Sequence, residues 1–231
     1  MTPNELTLLA EIEPRLRHLL PAELYTNLWL NPSSDSLSLV FDHLRSLQHT
    51  LQDYLPRSIA EHTPQLGEVS FEWQDSTLMF TDLAGFTAMM EANAGRGREG
   101  AFIVLNLLNR YFARMLEIIS RSGGNLLEFT GDALLVQFPA DDTRDDAARA
   151  VRAGMRMQRA MAEFANIKTD SGTYSLKMRL GLHRGRLMIA NIGTPRRMET
   201  VLLGRAVYNT KIAEGEGEID RVNLTRATTR P

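Results

Sequence analysis

The stretch from Asn125 to Phe138 constrains the fold most. Two short apolar runs, Asn125 to Phe129 and Ala133 to Phe138, flank Gly131-Asp132 and follow Gly123-Gly124. A glycine and an acidic residue between two such runs mark a tight turn, so the pair reads as a β-hairpin. Upstream, Ala101 to Ser120 is strongly periodic at helical spacing and closes at Gly123-Gly124, where a glycine can end a helix. Further upstream, Ser70 to Thr81 alternates and then turns richly apolar before Asp82, the pattern of a buried strand. Downstream, Asp141 to Ala165 reads as a second helix through Ala147, Val151, Met155, Met161 and Phe164. Tyr174 to His183 and Arg186 to Ile192 read as a second hairpin turning at Arg184-Gly185. Helices against a mixed, largely antiparallel sheet make an α+β fold.

Ahead of this lies a helical segment. Leu6, Leu8, Leu9, Ile12, Leu16, Leu19 and Leu20 recur near helical spacing, and Pro14 and Pro21 predict short helices. After Asn31-Pro32, a stripe from Leu37 to Leu55 predicts one amphipathic helix ending before Pro56. It serves either as a dimerising helix or as a cover for its own domain. The expected division is an N-terminal helical and linker segment, 1–68, and a main domain, 69–231. A chain of 231 residues, 43% hydrophobic and 23% charged, can bury a core. Its formal charge of −2 offers no broad electrostatic footprint for nucleic acid or anionic lipid, so any anionic ligand must be held locally. The absence of cysteine excludes disulfides and thiolate metal sites. With no signal peptide and no apolar run of about 20 residues, the expected location is the cytoplasm, with no membrane segment in this chain.

Three segments carry chemistry. In Phe80-Thr81-Asp82-Leu83-Ala84-Gly85-Phe86-Thr87, a carboxylate at a strand end precedes a small-residue turn into a helix, which pairs a metal ligand with free backbone N–H groups. In Glu128-Phe129-Thr130-Gly131-Asp132, a second carboxylate sits in the hairpin turn, where it would face Asp82 across the sheet end. Arg179-Leu180-Gly181-Leu182-His183-Arg184-Gly185 follows. Taken singly, Asp82 is a helix cap, Asp132 a turn residue, and Arg179 a surface arginine. In this order, however, the segments resemble the class III adenylate and guanylate cyclases, from Phe71 to about Thr225. The resemblance implies a ferredoxin-like mixed antiparallel sheet flanked by helices, and conversion of ATP or GTP to a 3′,5′-cyclic nucleotide and pyrophosphate. It implies that Asp82, the Leu83 carbonyl and Asp132 hold two Mg²⁺ or Mn²⁺ ions. The turn Gly85, Phe86 and Thr87 would cradle phosphate, Arg179 would contact the terminal phosphates, and Glu128 would meet the base. His183 is expected to be structural.

The sequence departs from that family in two places. Glu128 stands where adenylate cyclases usually carry Lys and guanylate cyclases use Glu, so base preference stays open. Where the family expects Asn and, four residues on, Arg, this chain has Tyr208 and Ile212. Loss of a comparable arginine in phosphoryl transfer costs on the order of 10³-fold or more, and Lys211 lies on another helical face. The pattern resembles the first catalytic half of the two-part animal adenylate cyclases. It implies a half-site that works beside a complementary cyclase domain in a homodimer or heterodimer. The chain ends without the terminal hairpin usual in the family, which leads us to expect the first half of a longer tandem protein. The alternative is a degenerate nucleotide-binding, dimerising regulatory module.

Overall fold

The chain opens with a helical unit. The computed structural model describes residues 3–54, 65, 67–143, 145–169 and 172–229, and the protein divides into two compact units, Met1–Thr63 and Pro64–Pro231. The first unit holds α1 (Pro3–Leu19), α2 (Ala22–Leu30) and α3 (Ser34–Tyr54). Pro14, expected to interrupt, lies within α1, whereas Pro21 occupies the cap position of α2. Leu16, Leu20, Leu28 and Val40 form its small core. The expected end of α3 at Leu55-Pro56 falls outside the described residues.

The second unit begins with β1 (Ser70–Ala84), a strand carried through Asp82 instead of stopping before it. Next come α4 (Phe86–Ala94), α5 (Gly97–Arg121), β2 (Asn125–Thr130) and β3 (Ala133–Pro139). They are followed by α6 (Asp146–Ala160) with a 3₁₀ turn, Met161–Phe164, then β4 (Ile167–Thr169), β5 (Gly172–Tyr174), β6 (Lys177–Thr194), β7 (Arg197–Leu203), α7 (Arg205–Gly215) and β8 (Val222–Leu224). The expected helix over Asp141–Ala165 starts only at Asp146, because Asp141 folds into a local turn by accepting from the Thr143 N–H at 3.0 Å, and it ends at Ala160, where the chain tightens into the 3₁₀ turn.

The expected hairpin at Arg184-Gly185 is not formed. β6 runs unbroken through both residues, and β1 pairs antiparallel with it from Ser70↔Asn191 to Ala84↔Lys177. Gly185 serves close packing instead of a turn: a Cβ there would lie 3.1 Å from the Ala206 Cβ and 3.1 Å from His183 Nε2. The chain reverses only after Thr194, into β7. Strand order is β2-β3-β1-β6-β7, and β8 runs parallel to β6 at Leu180–Leu182. The sheet is thus mixed, antiparallel but for one strand.

One face of this sheet is dry. Met79, Leu83, Leu134, Val136, Phe138, Met178, Leu180 and Leu182 pack against Val104, Leu107, Tyr111, Met115 and Ile119 of α5 and Ala150, Ala153 and Met157 of α6. Each fully buried side chain of this size contributes roughly 1.5–3 kcal/mol relative to exposure. Strand periodicity sends the alternate residues Leu78, Phe80 and Asp82 to the other face, where α7 lies.

Candidate functional site

Register decides what meets at the end of the sheet. Asp82 on β1 pairs directly with Arg179 on β6, and directly opposed residues of an antiparallel pair share a face. Asp82 is partly buried, as is Asp132 in the turn before β3. Burial pushes the Asp132 carboxyl above the usual range, and the nearby Asp82 charge pushes it further; its own N–H and that of Leu83 donate to it and oppose the shift. The two carboxylates are therefore close enough to repel, and the Leu83 amide ties the turn to the end of β1. Leu83 itself is 4% exposed, its side chain in the dry core.

Beneath the pair, α5 contributes Tyr111, 0% exposed. Burial raises its phenol, the Asp132 and Asp82 charges raise it further, and a hydrogen bond with Thr81 lowers it. The Thr81 hydroxyl also accepts from the Leu134 N–H at 3.2 Å, cross-linking β1 and β3 beside both aspartates.

After β1 the chain turns at Gly85, whose φ of 93° is left-handed, and a Cβ there would lie 2.8 Å from the Ser175 carbonyl oxygen. That turn starts α4, where the Met89 N–H donates to the Gly85 carbonyl at 3.2 Å. The first-turn N–H groups of Phe86 and Thr87 have no helical acceptor of their own. Phe86 packs on the core, while Thr87 is exposed.

Arg179 is gripped by the end of α7. Its Nη1 donates to the Gly215 carbonyl at 3.1 Å, and its Nε lies 3.4 Å from Glu214 Oε1. Glu214 is pushed up by burial and by the Asp82 charge, with Arg179 and Lys211 pulling the other way. Lys211 Nζ sits 5.8 Å from the centroid of the Phe80 ring, two residues before Asp82.

The structure thus brings together Asp82, Asp132 and Arg179, with the Gly85–Thr87 turn following Asp82 directly. Glu128 lies farther off. A bulge between Leu126 and Glu128 sets it opposite Leu135, which in turn opposes Phe80, so it stands exposed on the Asp82 face two strands away from β1. On α7, Tyr208 is 66% exposed and Ile212 partly buried. His183 is built into the fold: its Nδ1 lies 2.8 Å from Thr225 Oγ1, and burial lowers its pKa. The sequence reading missed Glu214 and Tyr111, and set Lys211 on another helical face, whereas its ammonium lies by Phe80. Glu214 shares a buried side of α7 with Ala206 and Thr210, every fourth residue, a small and polar stripe that the fold and not the sequence reveals as buried. Among the described residues no group of three or more His, Asp or Glu could hold a metal ion, and no helix is long and apolar enough to cross a membrane. A cation here would rest on two carboxylates and backbone oxygen.

The family model for the adenylate and guanylate cyclase catalytic domain matches residues 69–231. Adenylate cyclase 1 of Rhizobium meliloti is 26% identical over 185 residues, 78% of this chain and 27% of that protein. The adenylate cyclase of Anabaena cylindrica is 25% identical over 195 residues, 80% of this chain and 37% of that protein. The chain therefore spans well under half the length of these relatives. Among solved structures, the guanylyl cyclase Cya2 is 30% identical with a TM-score of 0.57, covering 68% of this chain and 77% of that one. The adenylyl cyclase CyaB from P. aeruginosa is 26% identical with a TM-score of 0.58, covering 69% of this chain and 80% of that one.

Proposed function

The chain belongs to the adenylate and guanylate cyclase catalytic domain family, and from that premise we propose that residues 69–231 are the metal- and triphosphate-binding half of a cyclase site, completed by a complementary cyclase domain. The observation that supports this reading best is the pairing of Asp82 with Arg179 across β1 and β6, with Asp132 coupled to Asp82, beneath a helix that carries Tyr208 and Ile212 where the family has Asn and Arg.

The residues suit divalent ions. Asp132 and Asp82 repel each other, and hard cations favour carboxylate and carbonyl oxygen, which points to Mg²⁺ or Mn²⁺ on Asp82, Asp132 and the Leu83 carbonyl. A bound pair of ions supplies acidification of the ribose 3′-hydroxyl and charge neutralisation on the departing pyrophosphate. The chain's own groups do the rest. The Phe86 and Thr87 N–H groups, at a helix N-terminus after a left-handed Gly85, donate to phosphate oxygens. Arg179, its inner edge held by α7, presents a fixed, permanently charged fork to the terminal phosphates. Glu128, exposed two strands away from β1, stands apart from this group, and a base contact for it rests on the family resemblance alone. Transition-state charge on the α-phosphate is left to the partner, because neither Tyr208 nor Ile212 is cationic and Lys211, over the Phe80 ring, is a point charge without the arginine fork.

A second reading rests on the same two residues: a module that binds triphosphate without cyclising it. One experiment separates them. Product from ATP and from GTP with Mn²⁺ is followed by chromatography for the chain alone, for Asp82→Ala, and for the chain mixed with a cyclase domain carrying the Asn and Arg. We expect triphosphate binding but no product alone, and product on mixing that Asp82→Ala abolishes. Binding without product in any mixture selects the regulatory module. Product from the chain alone overturns the half-site.

A further inference from the structure

Arg179 is held asymmetrically. Among the described residues, the contacts that fix its guanidinium come from the last turn of α7: Nη1 donates to the Gly215 carbonyl at 3.1 Å, and Nε lies 3.4 Å from Glu214 Oε1. The arginine side chain is 27% exposed and Glu214 only 8%. Nε is fully buried and has no hydrogen-bond partner, since the Glu214 contact is an ion pair just outside hydrogen-bonding geometry. The inner edge of the fork is thus enclosed by α7, and its outer end is left toward solvent on the Asp82 face.

α7 can hold this edge only because it lies directly on β6. A Cβ on Gly181 would stand 2.2 Å from the Glu214 backbone nitrogen and 2.6 Å from its Cα. Only a glycine lets the helix end come so near the strand that carries Arg179 two residues earlier. Burying a carboxylate at this depth is costly unless it is paired. Here burial and the Asp82 charge both disfavour the anion, and the guanidinium is the main group favouring it.

From this arrangement we infer that Glu214 is a positioning residue: with the Gly215 carbonyl it aims the Arg179 guanidinium at the terminal phosphates of the triphosphate, and Gly181 permits it to do so. The inference rests on the reading that Arg179 meets those phosphates. Held in this way, the arginine meets a phosphate with its rotamers already restricted. The same helix exposes Tyr208 about one and two-thirds turns earlier.

The test is calorimetric titration of the full chain with inorganic tripolyphosphate in the presence of Mn²⁺, for wild type, Glu214→Gln, Arg179→Ala and the double variant. Gly181→Ala serves as a second route to the same contact, and circular dichroism checks each fold. We expect Glu214→Gln and Gly181→Ala each to weaken tripolyphosphate binding about tenfold, the usual size for a lost supporting contact. In the Arg179→Ala background, Glu214→Gln should then change nothing, and Mn²⁺ binding alone should be unaltered throughout. An equal loss with or without Arg179 assigns Glu214 a structural role and overturns the inference. Wild-type binding in Glu214→Gln, with loss in Arg179→Ala, also overturns it while sparing the proposed function. No loss in Arg179→Ala overturns the phosphate role of Arg179 itself.

Discussion

Individual side chains in this protein do work that their neighbours define. Gly85 is required twice, by its left-handed φ and by the nearby Ser175 carbonyl. Gly85→Ala should cost about 1–2 kcal/mol from conformation alone and move the α4 N-terminus; a lowered unfolding midpoint together with weaker triphosphate binding is the expected result. His183 gives a pH signature. Burial depresses its folded pKa below the ordinary value of 6.5, so the unfolded chain binds the proton more readily. Its contribution is therefore whole above that value and is lost as pH falls toward the depressed one. The midpoint of thermal unfolding should drop between pH 7 and 5, and His183→Asn should flatten that slope. At this scale the sequence was most legible where local chemistry speaks: small residues announce the turn that follows Asp82 and the one that holds Asp132. Glu214 and Tyr111 were hidden, because what matters about them is the strand or carboxylate they reach across the fold.

Among the elements, β1 and β6 are tied to the start of α6 at mid-length. Far from Asp82, the Thr77 hydroxyl donates to Asp146 Oδ2 at 2.7 Å, and Arg184 Nε donates to the same oxygen at 3.1 Å. Asp146 is fully buried at the start of α6, while Arg184 is 24% exposed. Removing one partner of a buried pair leaves an uncompensated charge. Arg184→Ala should therefore lower stability by about 3 kcal/mol in denaturant unfolding, and adding Asp146→Asn should recover part of that loss. A null effect would show that Thr77 alone satisfies the carboxylate. The hairpin expected at Arg184-Gly185 illustrates why elements are harder to foresee than motifs. A glycine in a strand pattern announces either a turn or a close approach, and only Ala206, distant in sequence, determines that it is the second. Pro14 misled in the same way, by marking a break that α1 does not make.

The molecule as a whole separates binding from whatever governs it. Every residue proposed to touch metal or triphosphate lies in the unit Pro64–Pro231, and none in the helical unit before it. A chain beginning at Val69 is expected to bind triphosphate within about twofold of the full chain, a change too small to register as a lost contact. If the amphipathic α3 pairs subunits, the oligomeric state of that shortened chain by light scattering should differ. An unchanged state would assign α3 to covering its own unit.

The fifteen paired residues of β1 and β6 also have a consequence for how the protein fails. Slipping one strand against the other by a single position would carry Asp82 into the dry core and Thr81 out of it, since neighbouring residues face opposite sides. A slip of two would keep the faces but set Asp82 against Gly181 or Lys177 instead of Arg179. Under the proposed function a register error would also dismantle the site, so the fraction of a preparation that binds triphosphate would count the molecules whose central strands closed in the right register.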